Sequence, residues 1–159
     1  MSKYNFIASD IQMPEVDLTN VKRITVKELK KLNPEVRSPV PLDGLDENLE
    51  VMYCESEDDM DGLTVSLCDN SPYNLEYHIK KKYVYWLPYR FTEKCSAQLL
   101  EYLKKNMLKD QKVEVWSIWI GNKDEICRVK NIKEIKLSDL TEDDLMEISS
   151  EKMCICVTG

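Results

Sequence analysis

The sequence contains no Cys-x-x-Cys pair, one histidine and four glycines. Structural zinc sites draw their ligands in closely spaced pairs from tight turns, so six cysteines standing 14, 27, 32, 27 and 2 residues apart are a poor zinc set. The lone histidine, His78, has no second imidazole to work with. Alternating with Asn74 and Glu76, it reads as a surface residue rather than a general base. Four glycines supply no strand, glycine-rich turn and helix in succession, so neither a P-loop nor a dinucleotide fingerprint is supported. The longest apolar run, YVYWLPY, is broken by Pro88 and falls well short of the ~18 residues that a membrane helix needs. The first ten residues lack the apolar stretch of a signal peptide. These absences set the expectation of a cytoplasmic protein with reduced thiols, no cofactor, no metal and no membrane partner.

Basic residues are also missing from one long segment. Between Arg37 and Lys80 there are eleven acids and no lysine or arginine, whereas the rest of the chain holds eighteen acids against twenty-two bases. The formal net charge of -7 is therefore segregated: -11 in the segment and +4 outside it. A field of one sign steers a partner of the other and repels nucleic acid. The candidate partner-binding surface comprises Asp43, Asp46, Glu47, Glu50, Glu55, Glu57, Asp58, Asp59 and Asp61. Its expected partner is a basic protein, of which a toxin or a nuclease cleft is the example; solubility alone is the plainer role for the same acids. Within the segment, Glu57, Asp59, Asp61 and Gly62 fall in a calcium-loop register, but its twelfth position is Cys68 where a bidentate glutamate is needed. KKKYVYWLPYR interleaves bases with aromatics as single-strand binders do, yet its aromatic part reads as a buried strand.

The remaining pattern is that of one α+β domain spanning residues 1–159, a largely antiparallel sheet of about seven or eight strands with two or three helices mainly on one face. Residues 4–8 alternate as a first strand. Thr25 and Glu28 form a capping box before Val26, Leu29 and Leu32, which predicts a short helix. Residues 49–54, 63–68, 74–79 and 83–87 read as an antiparallel meander. Thr92 caps a longer helix, reaching about Leu108, whose apolar stripe is Cys95, Leu99, Tyr102 and Leu103. KVEVWSIWI is apolar on both sides, with Trp116 on one face and Trp119 on the other. That places it at the centre of the sheet, as the first half of a hairpin turning at Gly121-Asn122. Thr141 opens an acid-started helix, and KMCICV closes the sheet.

Two thiol arrangements carry the enzymatic alternative. Cys95 would occupy the third position of its helix, where the dipole and free amides lower a thiol's pKa, but it also starts the apolar stripe. Cys154 and Cys156 share one face of the last strand with Cα atoms about 6.5 to 7 Å apart, at the limit for a relaxed disulfide. Both read better as small buried hydrophobes. A non-catalytic, inhibitor-type protein-binding module, similar to bacterial immunity proteins in size, charge and class only, is the first expectation. A thiol- or metal-dependent enzyme and a structural subunit of a larger complex are the alternatives.

Overall fold

The computed structural model describes residues 2–32, 41–72, 74–120, 131–148 and 153–159. Among these, the chain forms two compact units, residues 1–18 with 61–159 and residues 19–60. Both belong to an α+β fold with three helices and nine strands among the described residues.

The larger unit is built on strands β1 (Ser2–Ser9), β2 (Val16–Asp17), β5 (Thr64–Leu67), β6 (Tyr83–Leu87), β7 (Lys112–Ile120), β8 (Asn131–Lys136) and β9 (Met153–Thr158), in the sheet order β2-β5-β6-β1-β7-β9-β8. Every neighbouring pair is antiparallel except β8–β9. β3 (Lys22–Thr25) and β4 (Glu50–Tyr53) belong to the smaller unit. β1 lies in the middle because its residues are apolar on both sides: Ile7 packs on one face, and Phe6 and Ala8 on the other. β7 runs beside it from Ser2↔Ile120 to Ser9↔Val113 and is apolar on both faces as expected.

Helices α2 (Glu93–Asn106) and α3 (Glu142–Ile148) cover one face. Cys95, Leu99 and Leu103 from α2 and Leu145 and Ile148 from α3 form one core with Ile7, Tyr85, Val115 and Ile155 of the sheet. Burial of each leucine or isoleucine here contributes about 1.5–3 kcal/mol. Thr92 Oγ1 accepts the amide of Cys95 at 3.2 Å, so the predicted N-cap is present, while the helix stops at Asn106, short of Leu108. Thr141 and Asp144 make the equivalent reciprocal cap on α3.

The other face carries Phe6, Ala8, Trp116, Ile118 and Cys154, packed with Leu75 and Ile79. Those two residues correct the meander. Residues 74–79 do not form a strand: Asn74 has φ 70°, and Leu75–Tyr77 is a single 3-10 turn closed by His78 N–H to Leu75 O at 3.0 Å. The spacing Leu75 and Ile79 is one helical turn, whereas Tyr77, which alternation assigns to the same apolar face, is 57% exposed. Asparagine enters the left-handed region with little penalty, and that starts the turn.

Polar anchors tie the layers together. Asn5 on β1 donates through Nδ2 to the carbonyls of Pro88 and Tyr89 at 2.7 and 3.0 Å, fixing the connection from β6 to α2. Tyr85 accepts the Met13 amide at 2.9 Å, and the Tyr102 hydroxyl donates to Pro14 O at 2.7 Å. Gln111 receives the Leu108 amide, donates to Ser9 Oγ and accepts from the Gly159 amide.

The smaller unit consists of β3 (Lys22–Thr25), α1 (Val26–Leu32) and β4 (Glu50–Tyr53), with β3 and β4 antiparallel in a sheet of their own. β4 therefore leaves the expected meander for a partner that has no apolar alternation to announce it. The capping box is formed: Glu28 Oε2 accepts the Thr25 amide at 2.8 Å and Thr25 Oγ1 accepts the Glu28 amide at 3.2 Å. The expected turn at Gly121-Asn122, its return strand and Cys127 lie outside the described residues. No helix among the described residues is long and apolar enough to cross a membrane.

Trp116 is 6% exposed, whereas Trp119, near the end of β7, is only half-buried. Replacing Trp116 by Ala is expected to cost about 3–5 kcal/mol, with Trp119→Ala distinctly milder. Urea unfolding of both variants checks this ordering, and equal losses would place Trp119 in the core after all.

Candidate functional site

The smaller unit holds eight of the nine acids of the expected binding surface. Asp61 belongs to the larger unit. Asp43, Glu47, Glu50, Glu57 and Asp58 are exposed. Asp46, Glu55 and Asp59 make contacts that the structure shows in detail. Asp46 Oδ1 accepts the Asn48 amide at 2.9 Å and shapes the turn before β4. Glu55 lies 3.4 Å from Lys22 Nζ, an ion pair with both side chains largely exposed.

Asp59 has a structural position that its place in a run of acids does not reveal. Its Oδ2 accepts the amides of Glu55 and Ser56 at 3.0 and 2.9 Å, and its Oδ1 accepts the Asn20 side-chain amide at 3.1 Å. The Asn20 backbone amide also donates to Asp59 O at 3.0 Å. Asn20 and Asp59 stand at the two ends of the 19–60 segment, so these bonds clasp it shut at its base. The hydrogen bond from Asn20, followed by those from the two amides, holds the Asp59 carboxyl below its ordinary value of 3.8. The Thr25 amide and hydroxyl do the same for Glu28, whose ordinary value is 4.5.

Folding also changes the charge pattern. The pairing of β3 with β4 brings the bases Lys22 and Arg23 beside Glu50–Tyr53, and Lys22 reaches Glu55. The linear segment of -11 is thus partly compensated in space by bases that precede it in the chain. What stays outward on β4 is Glu50 and Met52, and Met52 is 72% exposed. Beside the Asn20–Asp59 clasp lies a cleft of about 410 Å³, with Lys22, Tyr53 and Glu55 on its walls.

The calcium register does not assemble. Residues Glu57–Asp61 form a 3-10 turn in which Asp59 is committed to amides. Among the described residues, no three His, Cys, Asp or Glu side chains come together as a metal site.

The thiols are placed as core and near-core groups. Cys95 and Cys154 are buried, while Cys54, Cys68 and Cys156 are half-buried, more open than fully buried filling would be. Burial pushes the Cys95 thiol up to about 11, with Asp61 adding to it, so desolvation overrides the helix dipole. Burial also raises Cys154, helped by Glu114 and Cys156. Cys156 is raised by burial and by Glu114 despite Lys112 nearby. Neither the helix-start thiol nor the i, i+2 pair is activated by its surroundings. Burial lowers the pKa of His78, which follows the 3-10 turn rather than sitting on a strand.

No protein-family model matches the chain, and neither a curated protein nor a solved structure does.

Asp59 and Glu28 have depressed pKa values in the folded state, so their stabilisation is present above their unfolded values and is lost as pH falls through the folded ones. Thermal midpoints measured from about pH 6 down to about pH 3 should fall, and Asp59→Asn should both lower the midpoint at neutral pH and flatten the acid dependence. Glu57→Gln, two residues away, should do neither. Identical behaviour of the two variants would remove the clasp from Asp59.

Proposed function

We propose that the protein is a non-catalytic binding module whose 19–60 unit engages a basic protein partner through its exposed acids and the outward side of β4. A toxin or nuclease whose cleft is cationic is one partner of that chemistry. The observation that carries the reading is Met52. A large apolar side chain 72% exposed in mid-strand, beside the exposed Glu50 and opposite the exposed Arg23, matches the make-up of a protein interface in which a soft hydrophobic anchor sits within a charged rim. Methionine adapts its shape to a partner, and the acids around it would speed the encounter and select against anionic surfaces.

The thiol-enzyme alternative has less support, because burial raises the thiols it would use. A structural role within a larger assembly shares the same surface and differs in what the partner does.

The test reverses charge where the fold does not need it. Glu47, Glu50 and Glu57 are exposed, unlike Asp59 with its three accepted hydrogen bonds. The variant Glu47→Lys/Glu50→Lys/Glu57→Lys should keep its melting midpoint and lose affinity for captured basic partners by about tenfold or more, and capture by the parent should weaken with salt. Salt-insensitive capture that is unchanged in the variant would leave the acids a solubilising role only.

A further inference from the structure

We propose that the cleft beside the Asn20–Asp59 clasp receives a guanidinium group, presented as an arginine side chain by the basic partner. This rests on the protein-binding reading above and names the side chain through which the partner is recognised. The cleft, of about 410 Å³, is lined by both Tyr53 and Glu55, so an aromatic residue and a carboxylate residue share its walls. A planar guanidinium stacks on an aromatic face and donates two parallel hydrogen bonds to a carboxylate. Few other groups satisfy both walls at once. An anion would meet Lys22 but also the carboxylates of Glu55 and Asp59, and a divalent ion would lack a third ligand among the described residues.

The chain itself supplies a stand-in for the guest. Lys22 Nζ lies 3.4 Å from Glu55 Oε1 within this cleft, and the two side chains are 63% and 70% exposed. Such a pair is held weakly in a nearly aqueous dielectric, so it is exchangeable. An ammonium is a point charge on a flexible stem. It does not provide the fork and flat face that the two walls accommodate, and arginine does. Asp59 adds fixed negative charge without competing as a ligand, since its oxygens are taken by Asn20, Glu55 and Ser56. Lys22 therefore acts as an internal competitor that keeps Glu55 paired until a better cation arrives.

The experiment titrates the full chain with acetylated, amidated arginine and, in parallel, with the same derivative of citrulline, which has the shape but no charge. Backbone amide NMR shifts of residues 20–22 and 53–55 are the readout. Saturable shifts with arginine, at least tenfold weaker with citrulline, are expected. Glu55→Gln should abolish them, and Lys22→Ala should tighten binding severalfold by removing the competitor. Absence of saturable shifts, an equal response to citrulline, or weaker binding in a folded Lys22→Ala variant overturns the assignment. The two readings fail separately. Charge-dependent partner capture without an arginine response rejects the cleft and keeps the module, whereas arginine binding with partner capture indifferent to salt and to the charge reversal rejects the charge-steered module.

Discussion

The larger unit depends on one constraint: β1 and β7 are apolar on both faces, so neither face of the sheet's middle can be left to water. Ile7, Val113 and Val115 require cover on one side, and Phe6, Trp116 and Ile118 on the other. α2 and α3 meet the first requirement with amphipathic stripes. The second is met in part by Leu75 on a single 3-10 turn and Ile79 just after it, an economical device because only two side chains need to point inward. The polar anchors follow from the same arrangement. A connection that crosses the end of a buried sheet must satisfy its carbonyls, and Asn5 does this for Pro88 and Tyr89 from within the central strand.

How far the sequence revealed this varies with the physics of each element. The capping boxes at Thr25 and Thr141, the N-cap at Thr92 and the two-sided apolar character of β7 depend on residues close in the chain or on simple periodicity, and they are legible. Residues 74–79 mislead, because Leu75, Tyr77 and Ile79 alternate as a strand would while Leu75 and Ile79 also fit a helical turn. The left-handed Asn74 decides between them, and a backbone dihedral is not written in hydropathy. β3 could not be seen, since Lys-Arg-Ile-Thr becomes a strand only by pairing with β4.

Charge was the most visible feature of the sequence and the one most altered by folding. Counting along the chain isolates eleven acids from every base, but strand pairing is blind to sequence distance and brings Arg23 opposite Met52 and Lys22 to Glu55. Within the run itself, identical residue types have unlike roles. Asp59 is a clasp and Asp46 a turn former, while Glu50 is outward. A signal for Asp59 did exist, in the Ser-x-x-Asp spacing of Ser56 and Asp59 with an upstream asparagine, but it is too common to stand out in an acidic loop.

The smaller unit fully buries few apolar side chains: Val26 and Leu29 are its buried hydrophobics among the described residues. Among the described residues, the Glu28 capping box, the Asn20–Asp59 clasp and one ribbon of two four-residue strands add to these, each of them marginal alone. An element held mainly by exposed hydrogen bonds opens at lower free energy than a packed core, and binding surfaces are drawn from that end of the stability range. The outward Met52 and the exposed Lys22–Glu55 pair lie on this unit and not on the larger sheet. A partner of the proposed kind, supplying a hydrophobic surface for the one and a cation for the other, would stabilise the folded unit by binding it.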